Sequence, residues 1–310
     1  MSASEGSDPE LTVWRDGELI PFADATVHVL SHAAHRGSEV FDVLKVYNTT
    51  GQPRALGLRE HVARFERSMR LMGMASPYDV AALSEAVRVT VNANPGSVVV
   101  KLVAAWPDVV LTTRPASPTP MIVVTAQPGD EGAALASPLR VTASTMPKMP
   151  AEILPPSLKV AASYTAGLRQ QMAADEAGFD DVVFRTVEGR LAEGTSMSLL
   201  VVKGDRLIGP PLDSVLDGIT RRLVCELAAD LDLAVEIRDV HWDEVEGADE
   251  LFFSSTNKIV SPIAALDDHT YEAPGPVAKA LGALADRLIA DDHPLSGRWM
   301  TPLPATAPTG

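Results

Sequence analysis

The chain is expected to fold as an α+β protein of two domains. Strand-like runs and helix-like stripes occur in both halves of its 310 residues, which is room enough for two domains. They alternate without a regular strand–helix–strand rhythm, which argues against one doubly wound sheet. Between the halves, Gln127-Pro128-Gly129-Asp130-Glu131-Gly132 has nothing to bury and two glycines, the composition of a linker.

Each element has its own reason. Thr12-Val13-Trp14 and Leu19-Ile20 flank Asp16-Gly17, so this stretch reads as a hairpin. Phe41 to Tyr47 is a strand by its β-branched and aromatic content, closed by Asn48 to Gly51. From Arg59 to Met74 the apolar residues Val62, Phe65, Met69 and Met72 recur every three or four positions, a helical stripe. A second helix is expected over Val80 to Val91, ended by Asn94-Pro95-Gly96, and strands over Ser97 to Trp106 and Met121 to Thr125. Beyond the linker, strands are expected at Leu139–Ser144, Asp181–Thr186, Ser198–Lys203, Val235–Val240 and Glu250–Ser254. Helices are expected at Tyr164–Ala177, from Gly218 through Leu231, and at Pro276–Ala290. The resulting division is a disordered start (1–10), a small N-terminal domain (11–126), a linker (127–135), a larger C-terminal domain (136–300) and a loose tail (301–310).

Charge and composition exclude several functions. With 41 acidic and 26 basic side chains the net charge is −15, which repels nucleic-acid phosphates and anionic lipid. Any bound anion must therefore be held by a local cluster of donors. The single cysteine, Cys225, excludes an internal disulfide framework and multi-cysteine metal sites. The opening MSASEGSDPELTVW has no apolar core, and no apolar run reaches the roughly 18 residues of a bilayer span. A cytoplasmic protein with neither nucleic-acid nor membrane partners is the expectation.

The common fingerprints are missing: no dinucleotide G-x-G-x-x-G, no P-loop, no H-E-x-x-H and no G-x-S-x-G. His28, His32 and His35 have the spacing of one helical face, which could hold zinc. No supporting carboxylate is identifiable for them; histidines bonded to backbone or in a tight turn are the expected reading, and no metal is expected.

Residues 157–222 hold the chemistry. Lys159 lies between Leu158 and Val160, beside a Pro-Pro turn. An amine held out of water favours its neutral form, which can form a Schiff base; the alternative is a lysine that snorkels to solvent. Gly218-Ile219-Thr220 opens a helix with a glycine and a hydroxyl, which suits a phosphate and equally suits an ordinary cap. Glu193 beside a turn is uninformative alone.

Together these segments resemble the fold-type IV pyridoxal-phosphate enzymes, most closely the branched-chain aminotransferases. VWRDGELIPFADATVHVLSHAAHRGSEVFDVLKVY and LREHVARFERS match the family's opening blocks. LPPSLKVAASY carries its lysine, LAEGTSMSLLVVKGDRLIGPPLDSVLDGITR its acid and phosphate cup, and ADELFFSSTNKIVSPI its closing loop. The resemblance implies a D-amino-acid-aminotransferase-like fold with the active site between two domains, pyridoxal 5′-phosphate as cofactor, a homodimer, and ping-pong exchange between an amino donor and an oxo acid such as 2-oxoglutarate. It implies that Lys159 bonds the cofactor covalently, Glu193 pairs with the pyridine nitrogen and Tyr164 bonds the ring hydroxyl. Arg59, Ile219, Thr220 and Thr256 would bind the phosphate, and Leu216 would pack on the ring. Alternatives within the same fold are a D-amino-acid or (R)-amine aminotransferase and an aminodeoxychorismate-type lyase; a scaffold without turnover is a further one.

The substrate side departs from the family pattern. Arg36 stands where a tyrosine is usual, Phe41-Asp42-Val43 replaces Phe-Glu-Gly, and Val99-Val100-Lys101 replaces Tyr-x-Arg. Asn257 and Lys258 replace small residues after the phosphate-binding threonine. Phe41, Arg36, Lys101, Asn257 and Lys258 are therefore candidate substrate contacts. Carboxylate recognition is expected from Arg36, Lys101 or Lys258, with Arg114 as a fourth candidate.

Overall fold

The computed structural model describes residues 11–49 and 51–305. It divides into two compact units. Of the described residues, the first takes in those up to Glu131, Lys159–Ala162 and those from Gly297 to 305; the second comprises Gly132–Leu158 and Ser163–Ser296.

In the first unit Thr12–Arg15 (β1) and Glu18–Pro21 (β2) form a hairpin that turns on Asp16 (φ 48°) and Gly17 (φ 106°). Two left-handed residues are what a two-residue hairpin turn needs to match strand twist. The short helix His32–Arg36 (α1) precedes strands Val40–Tyr47 (β3) and Arg54–Leu56 (β4); Val99–Ala105 (β5) and Met121–Gln127 (β6) follow later. With the C-terminal strand Met300–Pro302 they make a seven-stranded sheet. Its order is C-terminal strand, β4, β3, β5, β6, β1, β2, and every neighbouring pair is antiparallel. Helices Leu58–Leu71 (α2) and Val80–Ala93 (α3) pack on it. Leu58, Val62, Phe65 and Met69 are buried along α2, the stripe its spacing predicts. Asp79 caps α3 by accepting the Ala82 N–H at 2.8 Å.

The second unit holds Leu139–Ala143 (β7), Asp181–Val183 (β8), Ser198–Lys203 (β9), Arg206–Gly209 (β10), Ala234–Ile237 (β11), Glu250–Ser254 (β12) and Ser261–Leu266 (β13). Their order is β11, β10, β9, β12, β13, β7, β8, with the short strand His269–Thr270 beside β13. Parallel pairs (β10–β11, β13–β7, β7–β8) mix with antiparallel ones. Its helices are Tyr164–Glu176 (α4), Ile219–Leu227 (α5), Trp242–Glu246 (α6) and Pro276–Ile289 (α7), and α5 and α7 pack together against β12. α5 ends earlier than its leucine spacing predicts: Ala228–Leu231 tightens to a 3₁₀ turn, stopped by Asp232 at φ 54°.

The division differs from the sequence expectation: the expected linker is shared between the units at Glu131/Gly132, and residues 297–300 join the first unit. Lys159–Ala162 belongs to the first unit, because backbone bonds tie it to the start of β3: Phe41 N–H to Lys159 O (3.1 Å), Ala161 N–H to Glu39 O (2.8 Å) and Ala162 N–H to Gly37 O (3.1 Å). The chain just past residue 300 is not loose. Met300–Pro302 pairs with β4, and Leu303 is buried with its N–H on Pro53 O at 2.9 Å. Residues 1–10 and 306–310 lie outside the described residues.

A buried carboxylate ties α7 to the second sheet. Glu250 on β12 accepts the N–H of Val277 at 2.7 Å and of Ala278 at 2.9 Å, the orphan donors of the α7 first turn. Gly275 gives it room, since a Cβ there would come within 2.2 Å of Glu250 Cδ. Glu250→Ala is expected to lower unfolding free energy by about 1–2 kcal/mol, measured by urea denaturation. Among the described residues no helix is long and apolar enough to cross a membrane.

Candidate active site

Lys159 is positioned by backbone pairing rather than by a helix or long strand of its own. Beyond its carbonyl bond to Phe41 N–H, its own N–H donates to Ser68 Oγ on α2 at 3.2 Å. The half-buried side chain reaches over Phe41, with Nζ 4.7 Å from the ring centre. Phe41 and Val43 alternate along β3 with the buried Asp42, and Val43 faces Lys101 across the β3–β5 ladder. Phe41, Val43 and the exposed Lys101 therefore share one sheet face. Beside them, burial pushes the Glu39 carboxyl up and Lys101 partly offsets this.

The other face of β3 holds a polar cluster that the sequence reading missed. Asp42 is fully buried, with His61 Nδ1 at 2.7 Å from Oδ1 and Arg64 Nε at 2.8 Å from Oδ2. Burial pushes the Asp42 carboxyl up, but Arg64 and His61 outweigh it and hold it well below the usual carboxylate range. Burial also pushes the His61 imidazole down; Asp42 opposes this and Arg64 and Lys159 reinforce it. A carboxylate only accepts, so the neutral ring donates its Nδ1–H. The available signal was an acid inside an apolar strand, with His61 and Arg64 three residues apart on the facing helix.

A histidine that is neutral when folded gives a defined pH dependence. Below its ordinary value near 6.5 the unfolded chain binds a proton that the native state refuses, so stability falls with pH. The slope should approach about 1.4 kcal/mol per pH unit for this one proton. Denaturant titrations across pH 7 to 5 are expected to show it, and His61→Asn to remove it.

The second unit brings together Glu193, Leu216 and the start of α5. Glu193 is 6 % exposed; Oε1 pairs with Lys148 Nζ at 2.5 Å, and Oε2 accepts the Leu216 N–H at 3.3 Å. Gly218 is the N-cap of α5, and no side chain caps that helix end. A Cβ on Gly218 would lie 2.6 Å from Ser198 Oγ and 3.2 Å from Arg221 Cβ. The glycine therefore brings the backbone close, leaving the first-turn N–H groups and the buried Thr220 for an anion. A carboxylate beside an uncapped helix start fits a phosphorylated cofactor with a cationic ring nitrogen.

The remaining sequence candidates fall as follows. Arg59 is the second residue of α2 and exposed. Tyr164 opens α4, half-buried. Thr256, Asn257 and Lys258 form a turn closed by Ser255 N–H to Lys258 O at 3.0 Å, and Lys258 Nζ reaches Ala133 O at 3.4 Å. Arg36 is exposed and directed to the carbonyls of Leu111 (3.5 Å) and Thr112 (3.4 Å); Arg114 is exposed in the same loop. The three histidines do not share a helix, because α1 begins at His32. His32 bonds Ser38 Oγ (2.8 Å) and Thr113 O (2.9 Å), and among the described residues no His/Cys/Asp/Glu group could hold a metal. Lys148 was not singled out from sequence: it stands 45 positions from Glu193, and no local pattern marks the pair.

A family model for class IV amino-transferases matches residues 39–266, and the chain belongs to that family. Among its curated relatives is the branched-chain-amino-acid aminotransferase of Pseudomonas aeruginosa, 28% identical over 306 residues, covering 95% of this chain and 98% of the relative. The solved branched-chain amino acid aminotransferase of Escherichia coli superposes with a TM-score of 0.90 at 25% identity, covering 96% of this chain and 100% of the other. The branched-chain amino acid aminotransferase of Thermobaculum terrenum, solved in its PLP-form, gives a TM-score of 0.89 at 26% identity, with coverage of 97% and 100%. The fold-type IV architecture expected from sequence is thus that of the chain.

Proposed function

We propose that the chain is a pyridoxal-5′-phosphate-dependent aminotransferase acting between a branched-chain or other apolar amino acid and an oxo acid such as 2-oxoglutarate. The observation that carries the reading is the buried Glu193, tied through the Leu216 N–H to the approach of an uncapped α5 N-terminus. Relatives with branched-chain names over nearly their whole length support it.

Each residue then has a task. The N–H groups of Ile219 and Thr220, the Thr220 and Thr256 hydroxyls and the Arg59 guanidinium hold the phosphate dianion, which a chain of net charge −15 would otherwise repel. Leu216 packs on the ring, and Tyr164 bonds its hydroxyl. Glu193 faces the ring nitrogen. The bound cofactor supplies an electron-withdrawing ring that stabilises negative charge at the substrate's α-carbon. The Lys159 amine takes the α-proton at Nζ and returns it as a general acid. Phe41 and Val43 offer the substrate an apolar wall, and Lys101 on the same face offers its carboxylate a cation.

A homodimer is part of the same reading. Val29 and Leu30 are exposed next to Val109 and Leu111, an apolar patch held together by the Ser31–Val109 bridge, and sedimentation should show two chains.

The test is the absorbance of the cofactor-loaded protein titrated with L-leucine, L-isoleucine, L-valine, D-alanine and (R)-1-phenylethylamine. The branched L-amino acids should change the spectrum, and 2-oxoglutarate should restore it. A response to D-alanine or the amine alone would contradict the substrate assignment, and no response to any donor would contradict the activity.

A further inference from the structure

We propose that Lys148 is the built-in counter-charge of Glu193 and sets how strongly that carboxylate draws a cationic ring nitrogen. The proposal rests on the reading above, in which Glu193 faces the cofactor's ring nitrogen. The pair is close, at 2.5 Å, with side chains 23% and 9% exposed. Lys148 is fixed there by backbone. Ser144 N–H donates to Val183 O at 2.9 Å and Lys148 N–H to Arg185 O at 2.7 Å, so residues 144–148 run beside 183–185. Glu193 is registered to that same strand from its other side: Phe184 N–H donates to Glu193 O, and Ala192 N–H to Phe184 O, both at 2.9 Å.

The approach to Lys148 is locked as well. The buried Gln170 on α4 accepts from Ser144 Oγ (2.9 Å), Thr145 N–H (2.9 Å) and Thr145 Oγ1 (3.0 Å). Lys148 Nζ also lies 5.9 Å from the Phe184 ring centre. A surface lysine that met an acid by chance would have none of this support.

The consequence is electrostatic. An ammonium and a cationic ring nitrogen would share one carboxylate and repel each other, so Lys148 moderates the pull of Glu193 on the ring. It also keeps Glu193 from being a buried charge without an answer whenever the ring nitrogen leaves.

The experiment uses the full chain as wild type, Lys148→Met and Lys148→Arg. Two probes are bound by equilibrium dialysis at neutral pH: pyridoxamine 5′-phosphate and its 1-deaza analogue, in which C–H replaces the ring nitrogen. The preference for the nitrogen-containing probe is expected to rise about tenfold in Lys148→Met and to stay near wild type in Lys148→Arg. A lysine that serves only packing would change both affinities alike; an unchanged preference in Lys148→Met overturns the proposal. If the wild type binds neither probe, the functional reading itself fails and the proposal with it. Should Lys148→Met fail to fold by circular dichroism, Lys148→Gln carries the same expectation.

Discussion

Lys159→Ala is expected to lower transamination by on the order of 10⁴-fold, because it removes the only group assigned to move the α-proton. The loss should fall on turnover and not on folding. Lys159 enters the first unit through its backbone, by its carbonyl to Phe41 and its N–H to Ser68 Oγ, and alanine keeps both bonds. Pyridoxamine 5′-phosphate, which needs no covalent bond to a lysine, should still bind the variant. Lys159→Arg should be equally inactive, since a guanidinium stays protonated and cannot act as a base. Residual activity above about a tenth of wild type would show that another group serves as the base.

Asp42→Ala should have the largest effect on stability. The carboxylate is fully buried and holds Arg64 at 2.8 Å and 2.9 Å and His61 at 2.7 Å. Removing it deletes the counter-charge of a buried guanidinium, which typically costs about 3–5 kcal/mol. The sign with pH follows from the depressed carboxyl of Asp42. Its contribution is complete above the unfolded carboxylate value near 4 and is lost as pH falls toward the lower folded value. Wild type should therefore lose stability below about pH 4 more steeply than Asp42→Ala, in addition to the His61 limb at higher pH. Urea denaturation from pH 7 to 3 separates the two. Because Asp42 sits on β3 beside Phe41, the variant should also disturb the strand to which Lys159 is bonded.

Elements specified by their own local sequence were legible without coordinates. Asp16-Gly17 could only be a tight turn, the Val62, Phe65 and Met69 stripe could only face a core, and Gly218-Ile219-Thr220 marked a helix start. What was not legible depends on distant partners. β4 has three residues and β10 four, and each is a strand only because a neighbour completes its hydrogen bonds. The same holds for Met300–Pro302, hidden in a Pro-rich tail until β4 pairs with it. The placement of Lys159–Ala162 in the first unit rests on backbone bonds to residues 37–41, over a hundred positions away, and no composition shift announces them.

The site divides along the same line. Lys159 and the α5 turn carried signals in their own neighbourhoods as well as through the family resemblance, and Glu193 through the resemblance alone. Lys148 carried none, and the acid inside an apolar strand at Asp42 was a faint one, because their meaning lies in the charge opposite each: Arg64 across a helix–sheet contact, and Glu193 across a strand. The proposed substrate cations are the least constrained. Arg36 points to loop carbonyls and Lys258 toward Ala133 O, which leaves Lys101, on the same face as Phe41, the best placed of the three.

The most direct test is chemical trapping. The purified chain is loaded with pyridoxal 5′-phosphate, reduced with borohydride, digested and mapped by mass spectrometry. The Lys159 assignment gives a single phosphopyridoxyl modification on the peptide containing Lys159. A stable label on any other lysine, or none at all, would contradict it.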